Sequence, residues 1–264
     1  MGFIALTQVS ARWRAALWRW CYDRLAAGDA VGEYLFMNYG YAEPYRKLVL
    51  RAEDEAFRYP IQLYAHVVDG VELRGKDVVE VGSGRGGGAS FLVRYREPRS
   101  YTGVDLSAAA IARCRERFGF ANADWRQGGA DALPLADASA DVVANVESSH
   151  CYPSMVAFVA EVTRVLRPGG YFAFCDLRLS ARLAELDRCL EQSGLAPRER
   201  RVITPQVVRA LDYLSPSRER MLTRVPRLLR GAFRDFIGVK DTIAYNMLAD
   251  GRMVYVSYLL QKPA

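Results

Sequence analysis

From residue 76 onward, short apolar runs alternate with longer segments whose apolar residues recur at helical spacing. The short runs are rich in Val, Tyr and Phe, which is typical of buried strands, and the longer segments are typical of helices. This alternation predicts an α/β fold with a doubly wound, mostly parallel sheet. The predicted strands are 76–81, 101–106, a third before residue 129, 141–146, 170–176, 198–203 and 252–261, and the predicted helices are 87–96, 107–118, 153–166 and 181–193.

Both flanks of this core have helical patterns instead. Residues 1–35 carry an apolar row edged by arginines, which fits packing against the core, a lid over a site, or contact with a membrane interface. A helical pattern continues over 45–68, and residues 204–237 are helical and rich in arginine. We therefore expect four regions: an N-terminal helical lid at 1–72, the core at 73–203, an inserted helical cap at 204–250 and a last core strand at 251–264.

The composition indicates a folded cytoplasmic protein without a metal site. Hydrophobic residues make up 51% of the 264 residues, which is enough to bury a full core. No segment has a long unbroken apolar run, so no transmembrane segment is expected. The cysteines are odd in number and lack C-x-x-C spacing, so we expect reduced thiols that form neither a disulfide framework nor a metal site. They are Cys21, Cys114, Cys151, Cys175 and Cys189.

Positive charge is concentrated in one part of the chain. The formal net charge is +6, and residues 178–234 contain 13 arginines against six acids. Such a stretch is either a solvated helical surface or a docking face for an acidic partner, such as an acyl carrier protein or a membrane surface. Aromatic residues are not interleaved with the basic ones and no DNA-reading motif is present, so nucleic acid is not expected as a partner.

A glycine-rich loop directly follows the first predicted strand. Residues 80–88 read Glu-Val-Gly-Ser-Gly-Arg-Gly-Gly-Gly, which includes a G-x-G-x-x-G pattern. Gly82, Gly84 and Gly86 permit a tight turn and a close backbone approach to a ligand at a helix N-terminus. Glu80 ends the strand, where it would repel the pyrophosphate of a dinucleotide. A carboxylate there suits S-adenosylmethionine (SAM), which carries an ammonium and a sulfonium instead.

Two further acidic positions follow the next predicted strands. Asp105, with Leu106 beside it, ends the second strand, where a carboxylate can bind ribose hydroxyls. Because NAD and SAM share that ribose, Asp105 does not separate a nicotinamide-dependent oxidoreductase from a SAM-dependent enzyme. Asp131 and Ala132 follow the third strand, and a Leu-Arg-Pro-Gly-Gly turn at 166–170 precedes the fifth. These features argue against the oxidoreductase.

The glycine loop, the acids that follow the strands and the Leu-Arg-Pro-Gly-Gly stretch occur in a characteristic order and spacing. In these features, over about residues 75–177, the chain resembles the class I SAM-dependent methyltransferases. The resemblance implies a Rossmann-like SAM-binding core in which Asp131 and Ala132 lie near the adenine. It also implies that the exit of the fourth strand, at Asn145, Val146 and Glu147, borders the cofactor.

Two segments carry a closer resemblance. Residues 145–153 read Asn-Val-Glu-Ser-Ser-His-Cys-Tyr-Pro, and residues 37–41 read Met-Asn-Tyr-Gly-Tyr. Both are similar to segments of phthiotriolone and phenolphthiotriolone dimycocerosate methyltransferases and of polyketide- and sugar-tailoring O-methyltransferases. This similarity implies a small or lipid-like natural product as acceptor, a polyketide or phenolic hydroxyl in an apolar pocket, with Tyr39 closing over SAM or packing nearby.

The catalytic candidates follow the fourth and fifth strands. His150 lies at the carboxyl edge of the sheet, where ligands of open α/β sheets bind, and its imidazole is suited to act as general base. Asp176 ends the fifth strand and resembles the acid that accompanies this histidine, so it would orient His150, assist deprotonation or hold a substrate hydroxyl. Glu147 is a further candidate for holding SAM or substrate, whereas His66 lies in an apolar helix and is interpreted as structural.

The sequence leaves several reactions open. Members of this fold also act as cyclases or isomerases that use SAM structurally, and C- or N-methylation shares the same core. A SAM-binding module without turnover is a third class. Formation of S-adenosylhomocysteine (SAH) separates methyl transfer from the cyclases and from the binding module.

Overall fold

A seven-stranded sheet forms the centre of the molecule. The computed structural model describes residues 35–44, 48–225, 227 and 230–264. The strands lie in the order β3-β2-β1-β4-β5-β7-β6, and only β7 runs antiparallel to its neighbours. The predicted doubly wound, mostly parallel α/β fold is therefore confirmed. The strands are β1 Asp77–Val81, β2 Ser100–Asp105, β3 Ala123–Gln127, β4 Ala140–Val146, β5 Leu166–Leu179, β6 Ala196–Val202 and β7 Met253–Gln261.

Different helices cover the two faces of this sheet. Alternate residues of a strand point to opposite faces, so Val78 of β1 belongs to one hydrophobic cluster and Val79 to the other. The first cluster includes Ile61 and Phe91, and the second includes Phe158; all three are fully buried. The helices are α1 Arg58–Val67, α2 Gly87–Arg96, α3 Ala108–Arg117, α4 Met155–Val165, α5 Leu183–Glu191, α6 Thr204–Met221, α7 Arg230–Phe236 and α8 Ile243–Ala249.

The long helix predicted over 45–68 is wrong in its first half. Helix α1 begins only at Arg58, after a 3-10 turn at Ala52–Phe57. Side chains from elsewhere bind this stretch, because Asp54 accepts hydrogen bonds from Arg94 of α2 at 2.6 Å and from Tyr95 at 2.5 Å. These bonds tie the segment to α2, and the backbone N–H of Arg51 donates to the Tyr95 hydroxyl at 3.0 Å, which competes with a continuous helix. Residues 1–34 and 45–47, including most of the predicted lid and Cys21, lie outside the described residues.

The fifth strand is longer than predicted. Helix α4 ends at Val165, as the Leu-Arg-Pro-Gly-Gly stretch indicates, but β5 begins immediately afterwards at Leu166. Leu166 pairs with Ala140 of β4, and the backbone N–H of Gly169 donates to the carbonyl of Lys262 at 2.9 Å. The stretch read as a turn is therefore the irregular start of the strand.

The chain between β6 and β7, where we expect a cap, contains helices. It consists of α6, a 3-10 turn at Leu222–Arg224, α7 and α8. Buried residues 35–42 lie between this cap and the core: the N–H of Tyr41 donates to Tyr59 O at 3.0 Å, and the N–H of Ala42 donates to Gln206 O at 3.1 Å. Arg218 of α6 also donates to the carbonyl of Asn38 at 2.9 Å. The cap and this segment are thereby held over the carboxyl ends of the strands.

Candidate active site

A cavity of about 290 Å³ opens at the carboxyl ends of β1, β2 and β4. The strand order reverses between β1 and β4, which is where ligands bind in open α/β sheets. The loops after these strands form one side of the cavity. Residues 35–38 and two phenylalanines of α7, Phe233 and Phe236, form much of the rest.

The glycine loop after β1 brings its backbone to the cavity wall. The N–H groups of Gly82 and Ser83 both donate to the carbonyl of Val104, at 2.8 and 3.1 Å, which fixes the loop against β2. Gly82 has φ +76°, and a Cβ there would lie 2.3 Å from Ser148 Oγ and 2.7 Å from the hydroxyl of Tyr152. Only glycine fits this position, so the backbone can lie directly against a ligand.

Gly84 and Gly86 continue this loop. Gly84 lines the cavity, whereas Gly86 lies behind it, where a Cβ would meet the Phe118 ring at 2.4 Å. Gly86 precedes the first residue of α2 and has φ +81°, a conformation that favours glycine. The loop therefore places the N-terminal end of α2 beside the cavity.

Glu80 lies beneath this loop and does not line the cavity. Its carboxylate is fully buried and accepts hydrogen bonds from the hydroxyls of Tyr64, at 2.6 Å, and Tyr101. Burial raises the pKa of Glu80 to about 7. A Cβ at Gly88 would lie 2.3 Å from both carboxylate oxygens, so the carboxylate supports the first turn of α2 from below. The cofactor contact predicted for Glu80 is therefore not a direct one in this geometry.

The acids after β2 and β3 do line the cavity. Asp105 accepts a hydrogen bond from the N–H of Gly84 at 2.8 Å, which connects the second strand to the glycine loop. Leu106 lies beside it on the cavity wall, and Asp131 contributes a carboxylate on the same side. Ala132 forms a short backbone bridge behind Asp131 and is not a lining residue. The structure thus brings Asp105, Leu106 and Asp131, three of the predicted cofactor-binding residues, to one cavity.

The exit of β4 carries a polar cluster that includes Ser148 and Tyr152, which were not predicted from the sequence. Asn145 is fully buried, and its Nδ2 lies 2.8 Å from Val81 O, 2.8 Å from Ser148 Oγ and 2.9 Å from the Tyr152 hydroxyl. Asn145 is not a lining residue, whereas Val146, Ser148 and Tyr152 are. The 3-10 turn at Ser149–Cys151 folds Tyr152 back over Gly82, which no motif in the sequence indicates.

Glu147 is the acid that enters the cavity after β4. Its backbone has φ +52°, in the left-handed region that a non-glycine residue rarely adopts. Its Oε2 accepts hydrogen bonds from the N–H of Tyr39 and from the hydroxyl of Tyr255, both at 2.7 Å. Burial raises the pKa of Glu147 to about 7 despite these bonds. Tyr255 was not predicted, because it is 108 positions away on β7.

Tyr39 reaches Glu147 through its backbone and does not itself line the cavity. Its hydroxyl donates to the carbonyl of Phe236 at 3.2 Å, and the guanidinium of Arg218 lies 5.9 Å from its ring centre. Its neighbours Met37 and Asn38 form the cavity wall instead. The side chain predicted to close over the cofactor therefore packs between the core and the cap.

The structure brings His150 and Asp176 together next to the cavity, although β5 continues to Leu179 and Asp176 does not end the strand as predicted. His150 Nδ1 lies 2.7 Å from Asp176 Oδ1, and the N–H of His150 donates to Oδ2 at 2.8 Å. The guanidinium of Arg178 approaches Oδ2 at 3.1 Å, and Ser149 Oγ donates to it at 2.5 Å. His150 and Asp176 are not lining residues, but the next residue, Cys151, is.

The electrostatics of this pair are strongly coupled. Burial alone would raise the pKa of Asp176, but His150 and Arg178 outweigh it and hold the pKa well below its usual range. Burial alone would lower the pKa of His150, but Cys151 and Asp176 raise it well above 6.5. His66 lies elsewhere, stacked on Tyr41 and within 2.9 Å of Ser257 Oγ, in keeping with a structural role.

Among the described residues, no group of His, Cys, Asp and Glu is arranged to hold a metal ion. Within the same part of the chain, no helix is both long and apolar enough to cross a membrane.

Comparison with known proteins supports what the cavity indicates. Residues 79–174 match the family model described as a methyltransferase domain. The chain is 42% identical over 248 residues to the phthiotriol/phenolphthiotriol dimycocerosates methyltransferase of Mycobacterium tuberculosis, covering 93% of this chain and 92% of that one. It is 39% identical over 259 residues to the fatty-acid O-methyltransferase of Mycolicibacterium smegmatis, covering 97% and 92%.

A solved structure of similar fold is the [4+2]-cyclase SpnF, with a TM-score of 0.69 at 18% identity, covering 92% of this chain and 94% of that one. The chain is a class I SAM-dependent methyltransferase, an enzyme whose cofactor is SAM, as the sheet topology, the glycine loop and the match to the methyltransferase domain together show. Within that class, the chain belongs to the family that includes the phthiotriol/phenolphthiotriol dimycocerosates methyltransferases.

Proposed function

We propose that this enzyme methylates a hydroxyl oxygen of a lipid-like natural product, such as a polyketide or phenolic lipid, with His150 as general base. The observation that carries the proposal is the composition of one cavity. Its β2 side presents the glycine backbone and Asp105, and the cap contributes the apolar rings of Phe233 and Phe236. The relatives act, by name, on phthiotriol dimycocerosates and on fatty acids, which are acceptors with long apolar parts.

The residues present fit SAM. A Cβ at Gly82 would fill the space against Ser148, and the buried hydroxyl of Ser83 has no hydrogen-bond partner among the described residues. Asp105 suits the ribose hydroxyls and Asp131 the adenine amino group. When bound, SAM supplies an electrophilic methyl group on a positively charged sulfur.

The chain then has to orient the acceptor and receive its proton. Asp176 holds Nδ1 of His150, which leaves Nε2 as the nitrogen that accepts a proton. The phenylalanines of α7, with Leu35 and Phe36 opposite, exclude water from the acceptor's path. The helical cap and residues 35–38 therefore act as the acceptor wall, while the core holds the cofactor.

An acyl carrier protein as partner stays a prediction. Arg178 and Arg218 of the Arg-rich segment are bound inside the protein, to Asp176 and to backbone carbonyls. Arg200 pairs with Asp187 on the surface, as several other arginines of the segment pair with nearby acids. A carrier protein would compete with these pairs, so its binding should be weak and strongly dependent on salt.

SAH formation tests the proposal. The enzyme is incubated with SAM and a panel of long-chain alcohols, phenolic lipids and fatty acids of matched length, and SAH and methylated product are quantified together. We expect both to form in equal amounts with at least one hydroxyl acceptor. Conversion of an acceptor without SAH would instead assign the chain to the cyclases, the activity named for the structural neighbour.

A further inference from the structure

Glu147 occupies the cavity in a way that the predicted cofactor contact does not explain. It leaves β4 on the side of β5 and β7, since its N–H donates to Cys175 O at 2.9 Å and its carboxylate binds Tyr255. Asp105 lies at the end of β2, on the other side of β1. Glu147 is therefore displaced from the ribose-binding side toward the His150–Asp176 pair.

The hydrogen bonds that hold the Glu147 carboxylate reach only one of its two oxygens. Both hydrogen bonds, from Tyr39 N–H and from the Tyr255 hydroxyl, go to Oε2. In the described part of the chain, no hydrogen bond reaches Oε1, although Glu147 lines the cavity. The backbone of Glu147 has φ +52°, and strain of that kind is typical of functional sites.

The charge around the cavity is also unbalanced. Among the described lining residues, Asp105, Asp131 and Glu147 carry carboxyl groups, and Arg85 carries a guanidinium. The first two acids suit a cationic nucleoside, whereas Glu147 lies toward the His150–Asp176 pair, where the acceptor binds under the proposed function. A carboxylate acceptor placed beside ionised Glu147 would be disfavoured by repulsion between the two like charges.

We propose that Glu147 is a specificity-determining residue that selects uncharged hydroxyl acceptors and disfavours carboxylates. A hydroxyl of the acceptor can donate to Oε1, whereas a fatty-acid anion has no proton to donate and is repelled. This inference rests on the proposed function and narrows its acceptor class. It predicts a preference opposite to the acceptor named for the fatty-acid O-methyltransferase relative.

The discrimination should depend on pH. A carboxylate acceptor fits once Glu147 is protonated, and burial raises the pKa of Glu147 to about 7. Above that pH, binding of the anion should therefore weaken by about tenfold per pH unit, relative to the alcohol. The titratable and charged groups around Glu147 are Tyr64 of α1, Cys175 and Asp176 of β5, Tyr255 of β7 and His150.

The test compares dodecan-1-ol with dodecanoate, which differ only in the end group. Binding of each to the SAH-saturated enzyme is measured by calorimetry at pH 8 and pH 7. In the wild type we expect dodecan-1-ol to bind at least about tenfold more tightly than dodecanoate at pH 8. This ratio of the two affinities should be about fivefold smaller at pH 7. In Glu147→Gln the ratio should fall at least about tenfold and lose its pH dependence.

Two further variants keep the test decisive. Tyr255→Phe removes a hydrogen bond to the charged form of Glu147, so it should shift the ratio in the same direction even if Glu147→Gln does not fold. Glu116→Gln makes the same charge change on the exposed face of α3 and should leave the ratio unchanged.

Equal affinities for the two ligands in the wild type, or a ratio unaffected by both cavity variants, would overturn the inference. If the wild type does not bind dodecan-1-ol, the inference is overturned as well. The proposed function fails separately, if SAM does not raise the melting temperature or no hydroxyl acceptor yields SAH.

Discussion

Replacing Asp176 with asparagine tests how the buried ion pair controls His150. Asp176 is fully buried, and its two oxygens lie 2.7 Å from His150 Nδ1 and 3.1 Å from Arg178 Nη1. Asparagine keeps the size of the side chain and removes its charge. His150 and Arg178 then lose the carboxylate that compensates them, so we expect the pKa of His150 to fall and the fold to lose stability.

The size and pH range of this loss follow from the pKa directions. Removing one partner of a buried ion pair lowers the free energy of unfolding by about 3–5 kcal/mol. The folded pKa of Asp176 is depressed, so its contribution is present above its unfolded pKa of about 4 and is lost as the pH falls. The folded pKa of His150 is raised, so its contribution is present below about 6.5 and is lost as the pH rises through the folded pKa. Destabilisation should therefore be greatest between about pH 4 and 6.5.

Nuclear magnetic resonance can follow this titration directly, because the chain has only two histidines. The ring of His66 is identified separately by its own contacts, since it is stacked on Tyr41 and lies 2.9 Å from Ser257 Oγ. We expect the His150 titration to move more than about one pH unit downward in Asp176→Asn. Urea unfolding should show a larger loss at pH 5.5 than at pH 8.5. An unshifted His150 titration, or equal stability at pH 5.5, would refute the reasoning.

Three further predictions concern the cofactor, the base and the acceptor. Gly82→Ala places a Cβ 2.3 Å from Ser148 Oγ and should weaken SAM binding at least about tenfold in calorimetry. The control Gly119→Ala, which has open space around it, should leave SAM affinity unchanged. Equal SAM affinities of the two variants would contradict a close approach of the Gly82 backbone to SAM. Because the pKa of His150 is raised, turnover should increase with pH by up to about tenfold per pH unit above pH 6.5. His150→Gln should abolish this dependence on pH. A wild-type turnover that does not change with pH would exclude His150 as the general base. Phe236→Ala should raise KM for long-chain acceptors about tenfold or more while the SAM-induced melting shift persists; an unchanged KM would remove α7 from the acceptor wall.

Much of the core could be predicted because its signals are local. Short apolar runs and a glycine loop are visible within a few residues of sequence, and the first predicted helix of the core, 87–96, matches α2. The segment before α1 could not be predicted in this way. Its conformation depends on Asp54 meeting Arg94 and Tyr95, which are about 40 positions away, and no periodicity reports such a contact.

The residues of the candidate site likewise differ in whether a local sequence signal or a distant contact brings them to the cavity. Asp105 and Asp131 follow strands and line the cavity, as their positions indicate. Tyr152 and Tyr255 were missed, because one enters the site by a 3-10 turn and the other from the last strand of the chain. Conversely, Tyr39 lies in a segment that resembles the family, yet only its backbone reaches the site, and a sequence pattern does not distinguish a backbone contact from a side-chain contact.

Four carboxylates at or near the carboxyl ends of strands show why position alone does not assign a role; Asp176 lies three residues before the end of β5. Glu80 is enclosed by two tyrosine hydroxyls beneath the glycine loop, whereas Asp105 accepts a backbone N–H and remains on the cavity wall. Glu147 meets a tyrosine hydroxyl and a backbone N–H, and burial raises its pKa to about 7. Asp176 meets His150 and Arg178, and its pKa falls. The strand order places all four near one edge, but their distant partners decide whether each lies beneath the glycine loop, lines the cavity or pairs with His150. A sequence match that conserves these acids without their partners would therefore not conserve the chemistry.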